Sequence, residues 1–154
     1  FNPFQLVMNR GHYYLVGNHE NYDDMSTLRV DRIAHITVLN ERRKPLREIK
    51  GYQQQRTFNV SQYVKEHIYM FGGESITVTF KAKRSIVNQI LDWFDGNVEF
   101  TNITADNVVC RVRVNHDAFK YWALQYMQSV KVLTPASLVT EVKAAIEEGL
   151  HQYS

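Results

Sequence analysis

A single cysteine, Cys110, stands in the 154 residues, so no internal disulfide can form, and a reducing compartment fits the chain. No apolar run approaches the roughly 18–20 residues that a membrane span needs. The chain begins at Phe1 with neither a methionine nor a signal-peptide pattern, which reads as a fragment or a processed product. Internal repeats and low-complexity tracts are missing. So are the signatures of most catalysis: there is no phosphate-binding Gly-rich loop, no Cys-x-x-Cys pair and no nucleophile elbow. His12, His19 and Glu20 cluster in sequence, but a metal site needs three or four ligands and no further one presents itself. His35, His67, His116 and His151 are scattered, and His116-Asp117 reads as a helix start rather than a dyad. Neither metal nor cofactor is expected, and an enzyme using a nucleotide would need a base and a nucleophile that cannot be found.

What is present is a folded, mixed-structure chain. It is 44% hydrophobic and 22% charged, as globular domains are. Residues 1–72 hold 10 Lys/Arg against 7 Asp/Glu, a net of +3, and residues 73–154 hold 8 against 9, a net of −1. That excess favours an anionic ligand in the first half but is too thin for a duplex-DNA stripe. The run Arg42-Arg43-Lys44 before Pro45 reads as a solvated turn.

The first half reads as short strands. Phe4 to Met8 alternates, Asn9-Arg10-Gly11 signals a turn, and Tyr13-Tyr14-Leu15-Val16 forms the second arm of a hairpin. Residues 19–26 are a polar loop. Thr27 to Asp31 alternates again, with Leu28 and Val30 expected toward a core, and Ile33 to Leu39 continues as strand. Strands this short with tight turns suggest a small barrel or curled sheet. After a polar connector over Gly51–Arg56, Phe58, Asn59, Gln62 and Tyr63 form a capping box with a hydrophobic staple, and the helix should run to about Met70, ended by Gly72-Gly73. A domain boundary is expected there, giving domains 1–72 and 73–154.

The second half alternates elements. Ile76, Val78 and Phe80 mark a strand, and Ile86 to Phe94 gives a helical stripe closed by Asp95-Gly96. Val98–Ile103 and Val108–Val114 are strands, the latter with Val108, Cys110, Val112 and Val114 on one face, which makes Cys110 a core filler. Phe119, Trp122, Ala123, Tyr126 and Met127 keep helical spacing. Val130–Leu133 is a last strand, and Thr134-Pro135 starts a final helix with Leu138, Val142, Ala145 and Ile146 inward. The order βαββαβ is that of the ferredoxin-like fold with one helix added. The fold class is therefore α+β.

The constellation left for recognition is aromatic and basic. Strand parity puts Tyr13 and Tyr14 on opposite faces, so only one ring can pack on a one-sided core. Arg29 and Arg32 lie on or beside a strand that could neighbour them. Tyrosine faces stack on bases and guanidinium forks fit phosphate, as in small barrels that hold single-stranded nucleic acid or nucleotides.

Asn2-Pro3-Phe4, Tyr13-Tyr14-Leu15-Val16-Gly17 and Leu28-Arg29-Val30-Asp31-Arg32-Ile33 together resemble the WYL-domain family, with Tyr13 where the name-giving Trp stands. Val78-Thr79-Phe80, Trp93-Phe94, Trp122-Ala123-Leu124 and Val132-Leu133-Thr134-Pro135 resemble the extension that follows many WYL domains. The resemblance implies an Sm-like, SH3-type β-barrel, then a ferredoxin-like domain. It implies a cytoplasmic, dimeric transcriptional regulator, with DNA bound by an N-terminal helix-turn-helix that this chain lacks, along with at least one barrel strand. The barrel would sense an anionic ligand, a single-stranded nucleic acid or nucleotide. By position, Tyr13, Tyr14, Arg29 and Arg32 would line the groove, and Arg10 and His12 would flank it. On an unbroken strand Arg29 and Arg32 point to opposite faces. Either the strand bends near Asp31 or one arginine alone reaches the ligand, Arg29 being the first choice. Tyr14 is expected inward, its hydroxyl near the groove, with Tyr13 toward solvent. The alternative is an assembly module that senses nothing.

Overall fold

The hairpin that opens the chain is fixed by two residues. Arg10 and Gly11 both take positive φ, 48° and 80°, between a pairing of Asn9 with His12. Two central residues in the left-handed region make the turn whose twist matches that of the flanking strands. β1 (Asn2–Asn9) and β2 (His12–Asn18) follow from it, and β3 (Ser26–Arg29) adds on the far side of β2. The computed structural model describes residues 1–94 and 96–154. Its architecture is α+β, with one antiparallel sheet of three strands and another of four. The chain divides between Glu74 and Ser75 into two compact units.

In the first unit the sheet runs β1-β2-β3 and does not close. A bulge between Pro3 and Gln5 shifts the register of β1, which bends a strand and lets Phe4 and Val7 serve the same core. Leu6 and Met8 are left exposed. Val16, Met25, Ile49, Tyr63 and Met70 complete that core, and Tyr14 packs against its edge.

The register of β3 reverses the parity expected from its sequence. Thr27 pairs with Val16 and Arg29 with Tyr14, whereas Leu28 pairs with Leu15. Residues directly opposite in an antiparallel pair project to one face. Val16 is wholly buried, so Thr27 and Arg29 stand on the core side and Leu28 on the other. Thr27 justifies its place by a hydrogen bond, its Oγ1 lying 2.8 Å from the Tyr63 hydroxyl.

β3 then stops. Val30–Arg32 forms a 3-10 turn, and Ile33–Leu39 is irregular, not the expected strand. The alternation there is genuine, but among the described residues no neighbouring strand covers it: Ile36, Val38 and Leu39 are 70%, 91% and 64% exposed. The basic run beyond is only partly the solvated turn expected. Arg43 donates to the Pro3 carbonyl at 2.6 Å and lies over the Phe4 ring, and Lys44 pairs with Glu20.

α1 (Val60–Glu66) begins where the capping signal places it, with Asn59 Oδ1 accepting from Gln62 N at 3.1 Å and Phe58 packed on Tyr63. It ends four residues short of the expected Met70. His67 leaves helical geometry at φ −103°, and Met70 takes a positive φ of 56°. The side chain of Met70 is thereby turned into the core.

The second unit runs β4 (Ser75–Lys83), α2 (Val87–Phe94), β5 (Val98–Ile103), β6 (Asn107–Asn115), α3 (His116–Gln125), β7 (Val130–Thr134) and α4 (Ala136–His151). Its sheet is antiparallel throughout, in the order β5-β6-β4-β7. Val108, Cys110, Val112 and Val114 are all buried, as alternation along β6 requires. Phe80, Phe94, Phe119 and Trp122 close a tilted and edge-on aromatic cluster, with centroids 4.8–6.2 Å apart. Such pairs contribute about 0.5–1.5 kcal/mol each beyond area burial. α3 ends at Gln125, which leaves Met127 exposed, and along α4 Leu138 and Val142 are buried whereas Ile146 faces outward. His116 Nε2 and Lys120 Nζ both reach the Glu141 carboxylate, at 3.1 and 3.3 Å, and fasten α3 to the first half of α4. Of the expected stop after α2, Gly96 has a positive φ of 70°, while Asp95 lies outside the described residues.

Candidate functional site

The first unit carries a concavity of about 450 Å³ lined by three stretches of chain, Tyr14 of β2, then Thr27–Arg29 with Arg32 and Ile33, and last Tyr69–Phe71. Its size falls in the range of roughly 300–1,000 Å³ of small-molecule sites.

The 3-10 turn brings the two arginines together. A strand continuing through Val30 would send Arg29 and Arg32 to opposite faces; leaving the strand after Arg29 rotates Arg32 back, and both line the hollow. They differ in electrostatic state. Arg29 makes a bidentate pair with Asp31, Nε to Oδ1 and a terminal nitrogen to Oδ2, both at 2.8 Å. Hydrogen bonding by Asp31 raises the guanidinium pKa, and the same bonds from Arg29 hold the Asp31 carboxyl below its usual range. Arg32 has no hydrogen-bond or ion-pair partner among the described residues, which leaves its charge uncompensated.

Tyr14 lines the hollow and Tyr13 does not; Tyr13 projects from the other face of β2 and is 56% exposed. Arg10 occupies the hairpin turn, and His12 sits 3.9 Å from Asp31 through Nδ1. Neither lines the concavity.

The sequence reading missed the aromatic side of the site. Tyr69 and Phe71 flank the buried Met70, their rings 5.7 Å apart, on a segment read as helix. The signal available was the alternation Tyr69-Met70-Phe71 immediately before Gly72-Gly73. This segment is tied down from beneath. His67 Nδ1 lies 2.5 Å from the Phe71 carbonyl, and the imidazole stacks on Tyr63 at 3.8 Å and 14°. Burial pushes the Tyr63 phenol up to about 12 and lowers the pKa of His67, so both rings are neutral at pH 7. Gly73 N donates to the Met25 carbonyl, and a Cβ on Gly72 would press on that oxygen, so the glycine permits the close approach.

Chemically the site can hold a small anion against a guanidinium and a flat group against rings. Among the described residues no cluster of three His, Cys, Asp or Glu side chains is placed to ligate a metal, and no helix is long and apolar enough to cross a membrane.

The chain is a two-unit α+β protein whose first unit holds a basic and aromatic hollow. Residues 1–38 match the WYL domain and residues 73–150 the WCX domain, the second match alone covering half the chain. The chain belongs to the WYL-domain family of transcriptional regulators. Among solved structures it is similar to Proteasome accessory factor B/C (PafBC) of Arthrobacter aurescens, at 19% identity and a TM-score of 0.47. The match covers 99% of this chain and 22% of that one, so this chain spans only a small part of that protein's length. No curated protein matches the sequence.

Proposed function

We propose that this chain is the ligand-sensing and dimerising region of a DNA-binding regulator, and that its first unit binds an anionic ligand, a single-stranded nucleic acid or a nucleotide, without catalysis. The observation that carries this reading is the convergence of Tyr14, Arg29 and Arg32 on one hollow within the WYL-matched segment and its immediate surroundings. Arg32 is the principal anion contact, being the arginine without a carboxylate. Arg29 lines the hollow with its charge answered by Asp31 and is held back from the ligand. Arg10, in the hairpin turn, and His12, beside Asp31, stand at the margin as secondary contacts, and Tyr13, on the opposite face of β2, is assigned none. Ligand binding would favour one arrangement of a homodimer and change DNA affinity in the cytoplasm, with a coupling of about 1–3 kcal/mol.

The bulged, three-stranded sheet over a single core supports an Sm-like, SH3-type barrel as the parent form of the first unit. The strand order β5-β6-β4-β7 and two crossover helices support a ferredoxin-like second unit with α4 added. A second reading, an assembly module that binds nothing, draws on the apolar outer face of the first sheet, where Leu6, Met8 and Tyr13 are more than half exposed.

Fluorescence anisotropy of a labelled oligodeoxythymidylate, titrated with the wild-type chain and with Arg32→Ala, separates them. Sensing requires saturable binding that falls with salt and weakens at least tenfold in the variant, with unchanged thermal melting. Absence of binding by the wild type, or equal affinity of the two proteins, favours the assembly reading.

A further inference from the structure

We infer that the uncovered face of the second sheet is a sequence-independent contact for the phosphate backbone of double-stranded DNA. This face belongs to the other unit from the hollow, and the inference stands or falls apart from the ligand proposed there. Helices α2 and α3 pack on one side of the sheet, through the rings of Phe80, Phe94, Phe119 and Trp122. Alternation sends the intervening residues of β4, β6 and β7 to the other side. Phe80 and Ala82 are buried while Lys81 and Lys83 are exposed; Arg111 and Arg113 alternate in the same way with Cys110, Val112 and Val114, and Lys131 precedes the buried Val132. The register puts these cations on one surface, with Lys81 opposite Lys131, Arg111 opposite Thr79 and Arg113 opposite Thr77.

Among the described residues the face carries one carboxylate, Glu99, which lies opposite Arg111 without an ion pair. Lys81, Lys83, Arg111 and Lys131 likewise have no ion-pair partner among the described residues. The carboxylates of this unit gather on its helices, at Asp92, Asp117, Glu141, Glu147 and Glu148, so its net charge of −1 conceals a basic surface. Like charges directly opposite each other weaken a sheet. Lys81 beside Lys131 imposes that cost on the β4–β7 pairing, and a bound polyanion relieves it.

The rest of the face identifies the polyanion. By register it consists of Thr77, Thr79, Asn102, Asn107, Val109 and Thr134, with no aromatic ring among them. Protein interfaces centre on buried aromatic anchors and are poor in lysine, which this face is not. Single strands are held by stacking their bases on rings, which this face does not offer. Lysine, arginine, threonine and asparagine are the side chains that phosphate oxygens take as donors. A duplex also carries a denser line of charge than a single strand and releases more counterions per contact. A broad, ringless, cationic sheet therefore fits the duplex backbone.

The test is an anisotropy titration of a fluorescein-labelled duplex of about 20 base pairs with the full chain at several salt concentrations. The wild type is expected to bind duplexes of unrelated sequence alike, with log K falling against log salt at a slope of about −3.6 for four contacts. The double variant Lys81→Gln/Lys131→Gln should bind at least fivefold more weakly at low salt, with a slope of about −1.8, and should melt no lower than the wild type. Lys120→Gln/Lys143→Gln removes the same charge from the helices, where both lysines pair with glutamates, and should leave duplex affinity unchanged. No duplex binding by the wild type, or equal loss in the two double variants, overturns the inference. Oligodeoxythymidylate binding, the readout of the hollow, should be unaffected by the sheet variant. A loss there equal to the loss of duplex binding overturns the assignment to double strands, whereas a wild type that binds duplex and no single strand removes the reading of the hollow and leaves this one intact.

Discussion

Asp31 is the residue whose change tests the charge reading of the hollow most directly. In Asp31→Asn one side-chain oxygen remains to accept from Arg29, but the negative charge is lost and the second guanidinium becomes available to a guest. The pair is reached by solvent, with Asp31 54% and Arg29 27% exposed, so screening keeps its part in stability small and the fold should be unaffected. The consequence is read in the salt dependence of oligonucleotide binding. For single strands log K falls with log salt at a slope of about −0.7 per phosphate contact, so one contact at Arg32 gives about −0.7 and two contacts about −1.4. Between about 50 and 200 mM salt, affinity then falls about 2.6-fold for the wild type and about 7-fold for the variant. Anisotropy titrations at four or so salt concentrations distinguish these slopes. A variant whose slope equals that of the wild type would refute the argument that Asp31 holds Arg29 out of the site.

Further outcomes follow from the packing of the first unit. Tyr63→Phe removes the hydroxyl bonded to Thr27 and should cost about 0.5–1.5 kcal/mol, a drop of about 4–8 °C in melting temperature per kcal/mol for a unit of this size. Because the folded phenol titrates at about 12 against an ordinary value near 10, its contribution is intact below pH 10 and declines between pH 10 and 12, so denaturant midpoints measured across that range should fall in the wild type and less steeply in Tyr63→Phe. His67 has the opposite sign: its folded pKa lies below 6.5, so stability is complete above that pH and lost as pH falls from 6.5 toward the folded value, and hydrogen exchange at residues 67–73 should quicken on acidification, an effect that His67→Gln abolishes. Gly17→Ala should destabilise the β1–β2 pairing by about 1–3 kcal/mol in chemical denaturation, because the added methyl falls on the Asn2 carbonyl and the Phe1 ring.

Local signals in the sequence located most elements. The Asn9-Arg10-Gly11 turn, the Asn59 cap and the alternation along β6 each depend on neighbours only a few residues away, and all three are where the pattern puts them. Features decided by partners distant in sequence were not legible. Alternation in Thr27–Asp31 fixes that two faces exist but not which faces the core; pairing with β2 decides that, and it puts Thr27 inward, where Tyr63, 36 residues later, supplies a hydrogen-bond partner, and Arg29 on the same face, where Asp31 pairs with it. Ile33–Leu39 has strand composition but, among the described residues, no strand beside it. Tyr69 and Phe71 were hidden by extending α1 past His67, whose ring finds a backbone partner at Phe71 in place of another helical turn. The pairing of Arg29 with Arg32 was accessible only as a choice between a bend and a single contact, and the 3-10 turn resolves the geometry of that choice.

The bond between Thr27 and Tyr63 also has a consequence in time. The hairpin and β3 can form from the first thirty or so residues, by closing short loops that cost little entropy. The hollow cannot, since its aromatic side arrives only with residues 69–71 and is held by a helix that must first dock under the sheet. Completion of the hollow is therefore a late step of folding, reached only once Tyr63 and His67 seat.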